Sequence, residues 1–96
     1  MDDLVYYNDL YDLYKNLLTE KQQEYFEDYY FNNYSLSEIA DNYNISRNAI
    51  SKQLSVIKDK LDDYEEKLGL YKKNKEINKL SINEDIKNKI MDILMP

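Results

Sequence analysis

The spacing of apolar residues between positions 50 and 68 is the feature that most constrains the fold of this chain. Successive apolar residues are four, three, four, three and four positions apart: Ile50, Leu54, Ile57, Leu61, Tyr64 and Leu68. This spacing forms a heptad-like stripe along one face of a helix. We therefore predict a helix from about Arg47 to Leu68, roughly 30 Å long at ~1.5 Å per residue. Gly69 is suited to end it in the left-handed conformation.

Little else in the chain would interrupt a helix. Glycine and proline each occur once in the 96 residues, and the only proline is the terminal Pro96. A β-rich fold would need more turn residues than this, and no helix interior contains proline. The chain is 43% hydrophobic and 33% charged, which suits a globular protein with one modest core. We therefore predict an all-α fold.

Polar residues at capping positions divide the chain into helical segments. Three pairs have the spacing of a capping box, in which two side chains bond reciprocally to two backbone N–H groups. They are Thr19 with Gln22, Ser35 with Glu38, and Ser81 with Glu84. Together with the apolar periodicity they predict helices over residues 2–18, 20–31, 36–43, 47–68 and 82–94. The lysine-rich stretch YKKNKEINK, which follows Leu70, is expected to be a solvated linker.

Residues 34–57, YSLSEIADNYNISRNAISKQLSVI, have the pattern of a helix-turn-helix. Two short amphipathic patterns are separated by a tight break at Asn44, a residue type that tolerates positive φ. Ala40 is small where the second helix must approach the first closely, and Ser46 is a suitable N-cap for the second helix. The shared core is predicted to contain Ile39, Tyr43, Ile45 and Ile50.

The start of the second helix carries side chains of the types that bind nucleic acid. In helix-turn-helix proteins the N-terminal residues of this helix reach base edges in the major groove. Arginine bonds a guanine edge and asparagine an adenine edge, whereas lysines meet phosphates. The candidate residues are Ser46, Arg47, Asn48, Ser51, Lys52 and Lys58, with Lys60 as a further phosphate contact.

The charge pattern argues both for and against such a site. The chain has a net charge of −6, yet residues 47–60 contain four basic residues and one acid. This face is locally positive, while the acidic remainder of the chain weakens non-specific binding to a polyanion. Two uses of the motif remain open: direct binding of DNA, or binding of a protein or a structured RNA.

Residue types on which most enzymes and metal sites depend are missing. The chain contains no histidine and no cysteine, which removes the commonest metal ligand, the usual general base and thiolate chemistry. It has no glycine-rich phosphate loop, and adjacent acids on a helix diverge instead of converging on an ion. We therefore expect no catalytic residue, no metal and no cofactor. A cytoplasmic location is expected, because no apolar run approaches the ~18–20 residues of a membrane span and the N-terminus MDDLVYY is acidic.

The apolar stripes of the first helix and of the long helix are longer than a small core requires. Left uncovered, they would exceed the apolar patch that a monomer usually tolerates. A two-fold pairing would bury them and set two recognition helices side by side. We predict a homodimer with the interface residues Tyr7, Tyr11, Tyr14, Ile57, Leu61, Tyr64 and Leu68. The alternative is a last helix that folds back over the stripe through Ile86, Ile90 and Ile93.

Four motifs follow one another between residues 14 and 71: LLTEKQ, YSLSEIA, SRNAI and YEEKLGLY. In this order they resemble the YlxM family of small bacterial helix-turn-helix proteins, which are similar to region 4 of sigma factors. The resemblance implies an all-α fold, a dimer and an association with the signal recognition particle pathway. The implied partners are nucleic acid, either DNA or the RNA of that particle, and the particle's GTPase.

The predicted organisation is thus a sigma region 4-like helix-turn-helix with a C-terminal extension. Residues 1–70 form the helix-turn-helix domain, with an N-terminal dimerisation helix and a long helix for recognition and dimerisation. Residues 71–96 form the polar segment and the C-terminal helix. The expected function is that of a nucleic-acid-binding accessory or regulatory protein of the signal recognition particle pathway. The alternative is a protein-interaction factor that binds the targeting GTPase or its RNA without sequence-specific DNA binding.

Overall fold

The structure is a computed structural model that describes residues 3–96. Within that range the chain forms six α-helices and no strand, which confirms the predicted all-α fold. They are α1 (Asp3–Tyr14), α2 (Glu20–Tyr30), α3 (Leu36–Tyr43), α4 (Arg47–Leu68), α5 (Leu70–Asn78) and α6 (Glu84–Leu94), and one turn of 3-10 helix (Lys15–Leu17) extends α1. The predicted start of α1 at residue 2 lies outside the described residues. None of the helices in this range is long and apolar enough to cross a membrane.

Local capping chemistry explains where α2 and α3 begin. The Thr19 hydroxyl accepts a hydrogen bond from the backbone N–H of Gln22, whose side chain accepts one from the backbone of Thr19. Ser35 and Glu38 form the same reciprocal pair at the start of α3. Both capping boxes confirm the sequence prediction, because each satisfies two backbone donors that have no partner inside the helix.

The long helix α4 is the centre of the molecule. Helices α1, α2 and α3 all pack against it, and Ile50, Ile57 and Leu61 are fully buried. Burial of each of these side chains contributes roughly 1.5–3 kcal/mol relative to exposure. The other helices contribute Leu10, Tyr11, Tyr14, Phe26 and Ile39 to the same core. A stacked pair of rings, Tyr11 on Phe26 with 4.3 Å between centroids, joins α1 to α2.

This packing corrects the reason for predicting a homodimer. Four of the seven proposed interface residues, Tyr11, Tyr14, Ile57 and Leu61, are buried inside a single chain. They cannot also line a contact between two copies unless the chain opens. Tyr7 and Tyr64 are half-buried. The Tyr7 hydroxyl donates to Asp62, and the Tyr64 hydroxyl donates to the carbonyl of Leu17. Leu68, 42% exposed, is the most accessible of the seven. The homodimer itself stays a prediction.

The lysine-rich segment after Gly69 forms a helix, α5, where a solvated linker was expected. Gly69 has φ 63°, so α4 ends in the left-handed conformation that the sequence predicted. The carboxylate of Glu65, in the last turn of α4, then accepts hydrogen bonds from the N–H groups of Tyr71 at 2.9 Å and Lys72 at 3.3 Å. These are donors of the first turn of α5, so a side chain of the preceding helix caps it. Leu70 is buried against α1, which anchors the segment.

The C-terminal helix begins two residues later than predicted. Asn83, and not Ser81, is its N-cap, because the Asn83 side chain accepts from the N–H of Ile86 at 2.9 Å. Helix α6 packs on α5 and turns Met91 and Met95 toward the core. Ile86 is exposed and Ile93 is 82% exposed. The stripe of α4 is therefore covered by α1, α2 and α3, and not by Ile86 or Ile93 of α6.

Candidate nucleic-acid interface

The turn between α3 and α4 is a helix C-terminal motif built on Asn44. Asn44 adopts φ 56° and ψ 42°, the left-handed conformation predicted for this position. The N–H of Ile45 donates to the carbonyl of Ala40 at 3.1 Å, and that of Asn44 donates to the carbonyl of Asp41 at 3.4 Å. This pair of bonds is a Schellman motif, which satisfies carbonyls that α3 leaves free at its end. The chain turns within three residues, and α4 begins at Arg47 with Ser46 as its N-cap.

The two helices of the motif share a closely packed contact. Ile39, Ala40 and Ile50 are buried there, as predicted, and Tyr43 is half-buried. The Tyr43 hydroxyl donates to the Asp28 carboxylate at 3.1 Å, which ties α3 to α2. Burial, this hydrogen bond and the Asp28 charge raise the pKa of Tyr43 to about 12. The motif is therefore braced from α2 as well as from its own core.

Ile45 does not belong to that core, contrary to the prediction. Its side chain is 37% exposed. Ile45 is the second residue of a turn whose backbone has just passed through a left-handed residue, so it lies at the rim of the motif. The space between α3 and α4 is already filled by Ile39, Ala40 and Ile50.

The first two turns of α4 present the predicted recognition residues to solvent. Arg47 and Ser51, and likewise Asn48 and Lys52, are four residues apart and share a face of the helix. All four are exposed. Among the residues that the structure describes, no ion pair or side-chain hydrogen bond engages any of them. Their polar groups are therefore available to a ligand.

The remaining predicted contacts are not all part of this face. The Ser46 hydroxyl is used as the N-cap of α4, since it accepts from the N–H of Ala49 at 3.0 Å. Lys60 donates to the side-chain oxygen of Gln22 at 3.3 Å, and so it points toward α2. The ammonium of Lys58 lies 5.2 Å from the ring centroid of Tyr7 and 5.6 Å from that of Tyr30. Lys58 follows Arg47 by eleven residues, or roughly 16 Å along the helix at ~1.5 Å per residue.

Local electrostatics favour an anion at the start of α4. The helix macrodipole places a partial positive charge at its N-terminus, where Arg47 and Lys52 add two full charges. Glu38, an acid of α3, is engaged in its capping box, while Asp41 is exposed. These two acids offset part of the charge, so the positive potential is confined to the first turns of α4.

Two aromatic side chains of α2 lie at the surface beside α4. The sequence pattern did not distinguish them from core residues. Tyr29 and Tyr30 were assigned to the apolar face of α2, together with Tyr25 and Phe26. In the structure Tyr25 and Phe26 are buried, whereas Tyr29 is 37% exposed and Tyr30 is half-buried. Both rings line an open groove with Leu36, Ser51 and Lys58. The one sequence signal for this exposure is that Tyr29 lies beside the C-terminal residue of α2.

The fold and this site define an all-α helix-turn-helix protein. The comparison with known families agrees: the chain belongs to the UPF0122 family, described as "Putative helix-turn-helix protein, YlxM / p13 like", whose model matches residues 1–94. The resemblance noted in the sequence is thereby confirmed, and it extends over the C-terminal residues as well.

Individual relatives show how much of the chain is shared. A UPF0122 protein of Caldanaerobacter subterraneus subsp. tengcongensis is 50% identical over 78 residues, which cover 81% of this chain and 67% of the relative. One from Thermoanaerobacter is 49% identical over 80 residues, with 82% and 68% coverage. One from Staphylococcus aureus is 50% identical over 64 residues, with 67% and 58% coverage. The matched part thus spans about two thirds of the first two relatives and less of the third.

Proposed function

We propose that this protein is a cytoplasmic helix-turn-helix protein that binds nucleic acid and acts as an accessory or regulatory factor of the signal recognition particle pathway. One observation carries the proposal: the first two turns of α4 hold Arg47, Asn48, Ser51 and Lys52 exposed and without internal partners among the described residues. The protein acts by binding and not by catalysis.

The proposed roles follow from side-chain chemistry. The planar guanidinium of Arg47 bonds a guanine edge in two places, and the amide of Asn48 bonds an adenine edge. Lys52 and the positive end of α4 hold phosphates. The Asn44 turn and the buried contact between α3 and α4 keep the helix in one orientation, so these side chains enter a groove together.

The test removes the two positive charges of this face and measures the affinity for nucleic acid. A control variant removes two positive charges from another part of the surface. Arg47→Ala with Lys52→Ala should weaken binding to the best duplex by at least the roughly 1–3 kcal/mol of one lost bidentate base contact. The slope of affinity against salt should fall by about one for each phosphate contact removed. The control, Lys73→Ala with Lys89→Ala, makes the same change in net charge at exposed positions of α5 and α6. Fluorescence anisotropy with a labelled duplex measures both.

An equal loss of affinity in both double variants would mean that only net charge matters. It would contradict the proposed recognition role of α4. Unchanged affinity in the Arg47 and Lys52 variant would do the same. Circular dichroism should confirm that each variant remains helical, because none of these four side chains is buried.

A second candidate function is favoured by the charge of the whole chain. Outside residues 47–60 there are nine basic and 18 acidic residues. Such a surface suits a basic protein partner better than bare DNA. The corresponding proposal is a factor that binds the targeting GTPase of the signal recognition particle, or its RNA, without reading a DNA sequence.

Nuclease separates the two candidates. Recovery of the targeting GTPase from lysate by the tagged protein, unchanged after nuclease treatment, would favour the protein contact. Recovery lost with deoxyribonuclease would favour the first candidate, whereas recovery lost only with ribonuclease would assign the bridge to RNA. Salt gives an independent measure, since phosphate contacts weaken steeply as salt rises and a mainly apolar protein contact does not.

A further inference from the structure

Three tyrosines at the end of α2 and in the α2–α3 connection keep their rings at the surface. Tyr29 is 37% and Tyr34 is 41% exposed, and Tyr30 is half-buried. The rings of Tyr29 and Tyr30 meet edge to face, 5.0 Å between centroids at 89°. Tyr30 also packs on the buried ring of Phe26 at 4.5 Å. The surface rings are therefore anchored to the core.

The backbone that carries Tyr34 is held in place. Asn33 adopts φ 58°, which turns the chain sharply after α2. The N–H of Tyr34 then donates to the carbonyl of Asp28 at 3.0 Å. Tyr34 thus has a defined backbone position beside Tyr29 and is not part of a loose loop.

The aromatic surface continues into the recognition face of α4. Two adjoining grooves share Tyr29 and Tyr30 as a common wall. One extends to Tyr34, and the other extends to Ser51 and Lys58 of α4. Ser51 is also one of the exposed recognition residues, so an occupant of the groove would lie next to a ligand of Arg47 and Lys52.

The chemistry of the groove matches a nucleotide. Aromatic faces stack on bases of any sequence, and a lysine beside them attracts the phosphate. Lys58 supplies that charge between the rings of Tyr7 and Tyr30. Three aliphatic side chains, Leu4, Leu36 and Leu54, line the same grooves. The exposed rings, combined with serine hydroxyls and an ammonium, nevertheless favour a base and its backbone over a purely apolar partner.

From this placement we propose that Tyr29 and Tyr34, supported from beneath by Tyr30, form a platform that stacks an unpaired nucleobase while the start of α4 holds the adjacent duplex. The preferred ligand is then a stem with a bulged or looped-out nucleotide, and not a continuous duplex. This inference rests on the proposed nucleic-acid binding by α4. It adds a second contact, specific for an unpaired base, to the same face of the molecule.

The experiment uses hairpins of roughly ten base pairs, about one helical turn, in matched pairs with and without one unpaired adenosine in the stem. Each pair is made once in RNA and once in DNA, so that binding of an unpaired base is compared between the two nucleic acids. The wild type should bind the bulged hairpin roughly tenfold more tightly than the paired one, as expected for one stacked base. Tyr34→Leu and Tyr29→Leu should reduce its affinity to that for the paired hairpin. Tyr34→Phe, which keeps the ring, should retain the preference.

Four results would overturn the inference in distinguishable ways. Equal, salt-dependent binding of both hairpins would remove the platform and leave the proposed function intact. No binding to any hairpin would remove the proposed function, and the platform with it. Loss of the preference in Tyr34→Phe as well would show that stacking is not its cause. A wild-type dimer that the Leu variants convert to monomer, measured by sedimentation, would assign the surface to a second copy of the chain.

Discussion

The hydroxyl of Tyr14 donates a hydrogen bond to the carboxylate of Glu65 at 2.6 Å and accepts one from the backbone N–H of Leu70 at 2.9 Å. Tyr14 is fully buried. One oxygen atom of α1 therefore joins the last turn of α4 to the first residue of α5. This contact explains how a segment with few apolar residues is kept against the body of the protein.

Tyr14→Phe should lower the free energy of unfolding by about 1–3 kcal/mol, because the buried N–H of Leu70 would lose its acceptor. Urea unfolding followed by circular dichroism measures the change. Tyr29→Phe is the control and should have no effect, since its ring is exposed. Equal stability of the Tyr14 variant and the wild type would mean that Glu65 alone holds α5.

Stability should decline above about pH 10, the ordinary pKa of tyrosine. Burial and a hydrogen bond to Glu65 raise the pKa of Tyr14, and burial and a hydrogen bond to Glu27 raise that of Tyr11. Because the unfolded chain releases these protons first, each such tyrosine stabilises the fold fully below that pH. Its contribution is lost as the pH rises toward the folded pKa, by up to about 1.4 kcal/mol per pH unit.

Urea titrations at a series of alkaline pH values measure this decline, and near-ultraviolet absorbance reports tyrosinate formation. Tyr14→Phe should make the decline shallower, since one of the linked protons is gone. A pH dependence as steep in that variant as in the wild type would assign the effect to other groups.

Asn44 is expected to tolerate glycine but not alanine. Its φ of 56° lies in the left-handed region, which costs a residue with a Cβ roughly 1–2 kcal/mol. Asn44→Gly should therefore melt near the wild type, while Asn44→Ala should melt at a lower temperature. Scanning calorimetry compares the two variants. An alanine variant as stable as the glycine variant would contradict the left-handed turn of the helix-turn-helix.

Leu61→Asp should unfold the chain instead of dissociating a dimer. Leu61 is fully buried, and an unpaired carboxylate there should cost about 4 kcal/mol or more. Leu68→Asp, on the same stripe but largely exposed, should remain folded. Circular dichroism and sedimentation together measure both outcomes. A wild-type mass of twice 11.6 kDa, with a folded monomer in the Leu61 variant, would instead support the dimer predicted from the sequence.

Much of the fold followed from signals that act over three or four residues. The apolar spacing predicted α4, and Ser46 and Gly69 marked its two ends. The capping pairs Thr19 with Gln22 and Ser35 with Glu38 marked the starts of α2 and α3. Asn44 and Gly69 were recognised as left-handed residues. Such signals can be read from the sequence because the interacting residues are near neighbours in the chain. The geometry of their contact is therefore set by the helix alone.

The errors concern contacts between residues distant in the chain. Helix α5 was taken for a linker because its cap, Glu65, belongs to the preceding helix and its anchor, Tyr14, to the first. The cap of α6 was placed at Ser81 because Ser81 and Glu84 have the spacing of a capping box, but Asn83 is the N-cap. Lys58, which was grouped with the recognition residues, lies between a ring of α1 and a ring of α2; its contact with nucleic acid stays a prediction.

The burial of the apolar stripe of α4 shows the same difference between local signals and contacts of distant residues. The periodicity indicates that Ile57 and Leu61 are buried. Because apolar contacts are non-directional, it does not indicate which element covers them. A second copy, the last helix and the first helix were all compatible with the pattern. Packing in three dimensions placed α1, α2 and α3 against α4, and it left Tyr29, Tyr34 and Ile93 at the surface. Most helix positions and the exposed face at the start of α4 could thus be predicted from the sequence, while the partner of each apolar face depended on how the helices fit together.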